Sequence, residues 1–286
     1  MRALTKIISG LVVLLIVAVV GAYSAVNLVS WNAYKGLVAD QVKAATGRDL
    51  TIDGDLSGSV SMGGELALKA SGVRLSNASG AESPDMMKLG ALDLQMQLMP
   101  LLDGQVVVEA LSLEEPVMAL EVDSNGQANW DFGKEPAPAS SEPPISSLKV
   151  SSLTLAKGAY TFNDRRTGQK VEGSDINFKL SLPDLAQPLD VDGSMTLNKE
   201  PIALKVQLDT PAALMQGGKA KSTFSIDSKH VKAAYAGGIQ TAPVQGLDGT
   251  FNLDVGSVGR LLAWLDRPLP KGQKDPGPLK VEARFA

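Results

Sequence analysis

The triplet Asp164-Arg165-Arg166 is the first place to look for chemistry, because paired guanidiniums suit the oxygens of a phosphate headgroup. Thr167-Gly168 follows at once and marks a hairpin tip, so a solvated turn is the favoured reading of those charges. Asp53-Gly54-Asp55-Leu56-Ser57-Gly58 opens like an EF-hand calcium loop. Its twelfth position would be Gly64, with Glu65 one residue late, which favours a plain turn between two strands. His230, between Lys229 and Val231, has no carboxylate or nucleophile at an informative spacing and reads as a surface residue. Glu114 and Glu115 are adjacent on a strand pattern and point to opposite faces. Asn77-Ala78-Ser79 matches a glycosylation sequon, which matters only in a eukaryotic setting. The sequence has no P-loop, nucleophile elbow or dinucleotide fingerprint. It offers no catalytic, metal-ligating or cofactor-binding set. The expectation is a binding or structural protein, not an enzyme.

Composition narrows the classes further. The 286 residues carry 27 basic and 31 acidic side chains, a net charge of −4 with pI about 5.2, which argues against a nucleic-acid partner. Cysteine is absent and histidine occurs once, so thiolate nucleophiles, disulfides and Cys/His metal sites are excluded. Aromatics make up only 5%, so apolar packing must come mostly from Leu, Val, Ile and Ala.

The elements that would position any site begin with a membrane signal. From Ile7 to Val29 there are 23 residues without a charge. As a helix they reach roughly 35 Å, enough to cross a hydrocarbon core of about 30 Å. Arg2 and Lys6 precede the run and no basic residue follows until Lys35, which predicts a cytoplasmic N-terminus (1–6) and a single span (7–29). Tyr23, Trp31 and Tyr34 lie near the exit, where amphipathic rings favour the headgroup layer. Ala22-Tyr23-Ser24 would suit a signal-peptide cleavage site, but the run exceeds the usual h-region of about 7–15 residues, favouring an uncleaved anchor.

A membrane-proximal helix over 30–46 comes next, and Gly47 can end it in a left-handed conformation. From Arg48 the period becomes two: Leu92, Leu94, Met96 and Leu98 alternate with polar residues, as do Ile176, Phe178, Leu180 and Leu182. The pattern repeats at Leu189, Val191, Met195 and Leu197, at Ile202, Leu204, Val206 and Leu208, and at Phe251, Leu253 and Val255. Turn signals stand at Asp53-Gly54, Asp103-Gly104, Asn125-Gly126, Thr167-Gly168, Asp192-Gly193 and Asp248-Gly249. The predicted class is mainly β, a mostly antiparallel sheet with one or two short helices. One of these is Gly256–Asp266, where Val258, Leu261, Leu262 and Leu265 fall at helical spacing. A Pro/Ser-rich linker or loop, 134–144, divides a β block at 47–133 from a second at 145–286. The closing LKVEARFA stops inside a strand pattern, as expected of a truncated chain or missing partner strands.

An ordered set of motifs then carries a resemblance. After the span come Thr46-Gly47-Arg48-Asp49-Leu50-Thr51-Ile52-Asp53-Gly54, Gly72-Val73-Arg74-Leu75-Ser76-Asn77 and the strand Leu89–Leu98. Next in order are Pro100-Leu101-Leu102-Asp103-Gly104-Gln105-Val106 and Gly126-Gln127-Ala128-Asn129-Trp130-Asp131-Phe132. In this order the chain resembles the AsmA family of bacterial envelope proteins, related to the TamB and YhdP group, over about 1–133. The second block, through Leu261-Leu262-Ala263-Trp264-Leu265, is similar to the continuation of the chain in that family. The resemblance implies a single-pass inner-membrane protein, mostly periplasmic, with a long, curved, chorein-like sheet whose open groove carries phospholipid. Family members are usually longer, with a part reaching toward outer-membrane components. An alternative role associated with the family is a non-enzymatic scaffold for outer-membrane protein insertion.

For such a groove the candidate lining is Leu92, Leu94, Met96, Leu98, Ile176, Phe178, Leu180, Leu182, Ile202, Leu204, Val206 and Leu208. The same alternation would serve a closed sandwich whose apolar faces pack on each other, and periodicity does not separate the two.

Overall fold

The computed structural model describes residues 30–61, 63–103, 105–132, 147–241 and 246–285. The predicted span 7–29 and the 134–144 stretch lie outside them; no helix of the described residues is long and apolar enough to cross a membrane. The described chain is mainly β and forms two compact units. The first takes the described residues up to Val150 together with Thr154–Lys170; the second takes Ser151–Leu153 and those from Val171 onward.

The first unit opens with a 3-10 turn, Trp31–Tyr34, that runs into α1, Lys35–Thr46. Gly47 ends α1 at φ 72°, as its missing Cβ allows, with its N–H on the Lys43 carbonyl at 2.8 Å. β1 (Leu50–Ile52) and β2 (Leu56–Val60) share one partner, β3 (Glu65–Ser76), which pairs along its other edge with β4 (Asp85–Gln97). A single-turn helix α2 (Met99–Leu102) leads to β5 (Gln105–Glu114) and β6 (Val117–Val122). β7 (Ser147–Val150) and β8 (Ser152–Asp164) then break the meander, for β7 joins β5 and β8 joins β6 in parallel. The sheet of this unit is therefore mixed.

Its core is closed. Leu66 and Met96 face each other across β3 and β4, both 0% exposed, among Leu68, Leu94, Leu98, Val106 and Val108. Trp31, expected at a headgroup layer, is instead 8% exposed within this cluster. The reason is room: a Cβ at Gly58 would lie 2.5 Å from the Trp31 ring, so only glycine lets the indole down onto β2.

The second unit is a plain antiparallel meander, each strand paired with the next. β9 (Gln169–Ser181), β10 (Leu189–Leu197) and β11 (Glu200–Leu208) are followed by a five-residue helix, α3 (Pro211–Met215). β12 (Lys219–Ser228), β13 (Val231–Gln240), β14 (Gly246–Val255), α4 (Val258–Trp264) and β15 (Leu279–Phe285) complete it.

Two expected turns prove to be strand interiors. Asp192-Gly193 lies inside β10 and Asp248-Gly249 inside β14. In β14 the glycine serves contact between backbones: a Cβ on Gly237 of β13 would sit 2.7 Å from the Gly249 Cα. The β10–β11 hairpin turns instead on Asn198-Lys199, both at positive φ (46° and 69°), the signature of a two-residue I′ loop.

Candidate functional site

The second unit's register assembles its apolar residues into two ladders. One runs Leu180, Val191, Val206, Phe224, Tyr235, Phe251 and Ala283 from β9 to β15. The next runs Phe178, Gly193, Leu204, Ile226, Ala233, Leu253 and Val281, with Gly193 the one gap in its side chains. Because side chains alternate between faces, both ladders lie on one side of the sheet. Seven strands at about 4.8 Å spacing carry them across roughly 29 Å. Apart from buried Gly193, every member is half-buried.

The opposite face is polar and internally paired. Lys205 bonds to Asp192 at 3.1 Å, Gln207 Nε2 donates to Asp190 at 2.8 Å, and Lys280 meets Asp254 at 3.2 Å. Such exposed pairs each add at most about 1 kcal/mol, so their role is to keep this face wet. The one hydroxyl in the ladders is neutralised locally: Tyr235 Oη shares its proton between the carbonyls of Gly238 (2.7 Å) and Asp248 (3.0 Å).

The twelve predicted lining residues divide between the units. Leu94, Met96 and Leu98 lie in the closed core of the first unit, with Leu92 packed against it. Their surroundings are filled by Trp31, Leu66 and Val106. Phe178, Leu180, Leu204 and Val206 stand in the two ladders, while Leu208 pairs with Leu189 one position further along. Ile202 pairs with Met195 beyond the other side, and Ile176 sits at the bulge where β9 loses register with β10. Leu182 lies one residue past β9, its N–H on the Ser151 carbonyl at 2.7 Å. Sequence reasoning missed Phe224, Ile226, Ala233 and Tyr235, because β12 and β13 dilute their pattern with Ser, Ala and Gly.

His230 is not the surface residue expected. Its side chain is 14% exposed, stacked on Trp264 at 5.1 Å, with Nε2 3.8 Å from Glu200. Trp264 in turn donates from Nε1 to the Leu197 carbonyl at 2.9 Å, and Asn198 Nδ2 donates to the Trp264 carbonyl at 2.8 Å. The helix expected at 256–266 is thus present as α4, with Ser257 accepting from the Arg260 N–H as its cap. It is clamped onto two hairpin tips.

In the first unit the motifs converge on one polar knot. Arg48 donates to the carbonyls of Asn129 (3.1 Å) and Asn77 (3.4 Å), and its guanidinium lies 6.0 Å from the Phe132 ring centre. Asn129, buried, accepts from the Glu121 N–H at 3.0 Å and donates to Asn77 Oδ1 and the Ala119 carbonyl. Buried Glu121 accepts the N–H groups of Glu82 (2.9 Å) and Ser83 (3.1 Å). A hollow of about 240 Å³ lies beside this knot. Replacing Asn129 by Ala strands the Glu121 N–H and the Ala119 carbonyl, and urea unfolding should show a loss of about 1–3 kcal/mol.

Asp164-Arg165-Arg166 is likewise spoken for. Arg166 grips Asp164 through Nε at 3.1 Å and a terminal nitrogen at 2.9 Å, and Arg165 donates to the Gly80 carbonyl at 2.9 Å. The Arg166 guanidinium is the largest cause holding the Asp164 carboxyl down at about 2, against an ordinary 3.8. A depressed folded-state value means the stabilisation is complete above about pH 4 and is lost as pH falls toward 2. Urea midpoints of the native chain and of Asp164→Asn should therefore differ at neutral pH and converge near pH 2.

The chain belongs to the AsmA family, whose family model matches residues 1–249. No curated protein and no solved structure matches it.

Proposed function

We propose that the second unit holds phospholipid acyl chains on the apolar face of β9–β15. On this reading the protein binds or transfers lipid within the bacterial envelope, its 7–29 segment in the inner membrane and the rest in the periplasm. The observation that carries the proposal is the half-exposed state of both ladders. Leucine and valine bury almost completely in the first unit, at Leu66 (0% exposed) and Val106 (3%). Among the described residues of the second unit no second sheet and no core cluster covers the ladders.

Energetics favour a lipid as the cover. A diacyl lipid in water exposes about 30 methylenes at about 0.8 kcal/mol each, on the order of 25 kcal/mol, so it needs a continuous apolar bed. Strand segments of five residues provide roughly 16 Å of depth, comparable with the half-bilayer of about 15 Å that acyl chains occupy. The walls are mainly aliphatic, which suits chains of varied length and unsaturation. Membership of the AsmA family accords with an envelope role.

A photo-crosslinking residue placed in the full chain in cells tests this. Phospholipid adducts are expected at positions 204 and 206 and not at 205 and 207, which face the other way. Equal labelling on both faces, or adducts to outer-membrane protein in place of lipid, would refute it.

A further inference from the structure

One rim of the second unit collects positive charge. The loops 198–200, 229–230 and 256–278 carry six cations, Lys199, Lys229, Arg260, Arg267, Lys271 and Lys274, against three carboxylates, Glu200, Asp266 and Asp275. The opposite rim is the reverse: its loops 182–188 and 209–218 hold Asp184 and Asp209 and no cation. In a chain of net charge −4 this asymmetry belongs to one place in the fold.

The Trp264 clamp creates it. Its bond to Leu197, the return bond from Asn198 and the stacking of His230 bring three loops distant in sequence to one corner. Two of the three carboxylates are already engaged. Glu200 bonds to Lys229 at 2.9 Å, and Asp275 accepts from Ser257 Oγ at 2.5 Å and from the Gly259 and Gly277 N–H groups at 2.9 Å. Among the described residues no ion pair engages Lys199, Arg267, Lys271 or Lys274, all exposed. Beside them Leu265 is 40% and Leu279 43% exposed.

We infer that this rim is a docking face for an anionic lipid surface. Cations flanking exposed leucines match phosphate headgroups with acyl chains beneath, and each Lys or Arg at such a surface strengthens binding by about fivefold. The occupant follows from charge complementarity, and from the apolar face that begins here: Leu279 pairs with Val255 and Val281 with Leu253, directly into the second ladder. The inference deepens the lipid-binding reading by giving its bed a point of entry, and it rests on that reading for its purpose. Docking itself does not require lipid to leave the membrane.

The test uses the full chain in nanodiscs of phosphatidylcholine, mixed with fluorescent vesicles. Vesicles of equal parts phosphatidylglycerol and phosphatidylcholine should be captured, and pure phosphatidylcholine vesicles captured far less. Capture should fall at about 0.5 M salt, where screening shortens the electrostatic reach to a few ångströms. The exposed triple substitution R267Q/K271Q/K274Q should weaken capture by about a hundredfold. The control K179Q/K205Q/K221Q, which removes the same charge from β9, β11 and β12, should leave it unchanged. Equal capture of neutral and anionic vesicles, or equal loss in both triple variants, overturns the inference. So does an absence of capture, which would pass the rim to an acidic protein partner. Crosslinking at 204 and 206 is read separately, so either result can fail while the other stands.

Discussion

The chain carrying Leu204→Asp is expected to lose at least nine-tenths of its co-purifying phospholipid while remaining folded. Leu204 stands mid-ladder, between Gly193 and Ile226. An acyl chain crossing this row would lie against position 204, beside the Phe178 ring, which stands 3.4 Å from where a Cβ on Gly193 would be. An unpaired carboxylate there must be stripped of water whenever lipid is seated, a penalty of several kcal/mol. Since about 1.4 kcal/mol is a factor of ten, more than tenfold loss is expected. The fold should tolerate the change, because Leu204 is half-buried and belongs to no closed core. A half-exposed substitution of this kind costs about 1 kcal/mol. Lys205→Gln, one residue along on the polar face, is the matched control and should keep its lipid. The measurement is mass spectrometry of extracted lipid per mole of chain; native-like lipid content in Leu204→Asp would defeat the proposal.

The opposite behaviour is expected in the first unit. Met96→Ala should destabilise that unit by about 2–5 kcal/mol, and Leu66→Ala by a similar amount. Both side chains are 0% exposed and face each other across β3 and β4, so truncating either leaves a void that backbone pairing prevents from closing. A domain's whole stability is about 5–15 kcal/mol, so either change removes a large part of it. The two effects should not add, because the residues share one cavity. Urea unfolding in a Trp264→Phe background would report this unit through Trp31 and Trp130. A loss below about 1 kcal/mol would mean that the core is loosely packed. Together, the substitutions at 96 and 204 separate a position that holds the fold from one proposed to hold a ligand, although both are apolar and both alternate.

That separation was not legible in the sequence. Leu94 and Leu204 sit in equally regular alternating runs, yet one is buried under Trp31 and Leu66 and the other lies half open. Periodicity reports which face is apolar and says nothing about what covers it. The strands themselves were legible where the alternation was undiluted, as in β9, β10, β11 and β14, and α4 was legible from its helical spacing. α2 and α3, a single turn each, are too short for any periodicity to register. The Asp-Gly pairs at 192–193 and 248–249 misled because the same dipeptide suits both a tight turn and a close approach between strands.

The sequence by itself determined the class of the protein: a mainly β chain, the absence of thiol and Cys/His metal chemistry, and AsmA kinship through motifs in a set order. These rest on local properties, since composition and the alternation of side chains need no knowledge of distant neighbours. Tertiary structure alone decided that Arg48, Asn77 and Asn129 form one polar knot. It also decided that His230 packs on Trp264 and that three basic loops share a corner. Each depends on pairing between residues dozens of positions apart, which strand register specifies and local spacing does not.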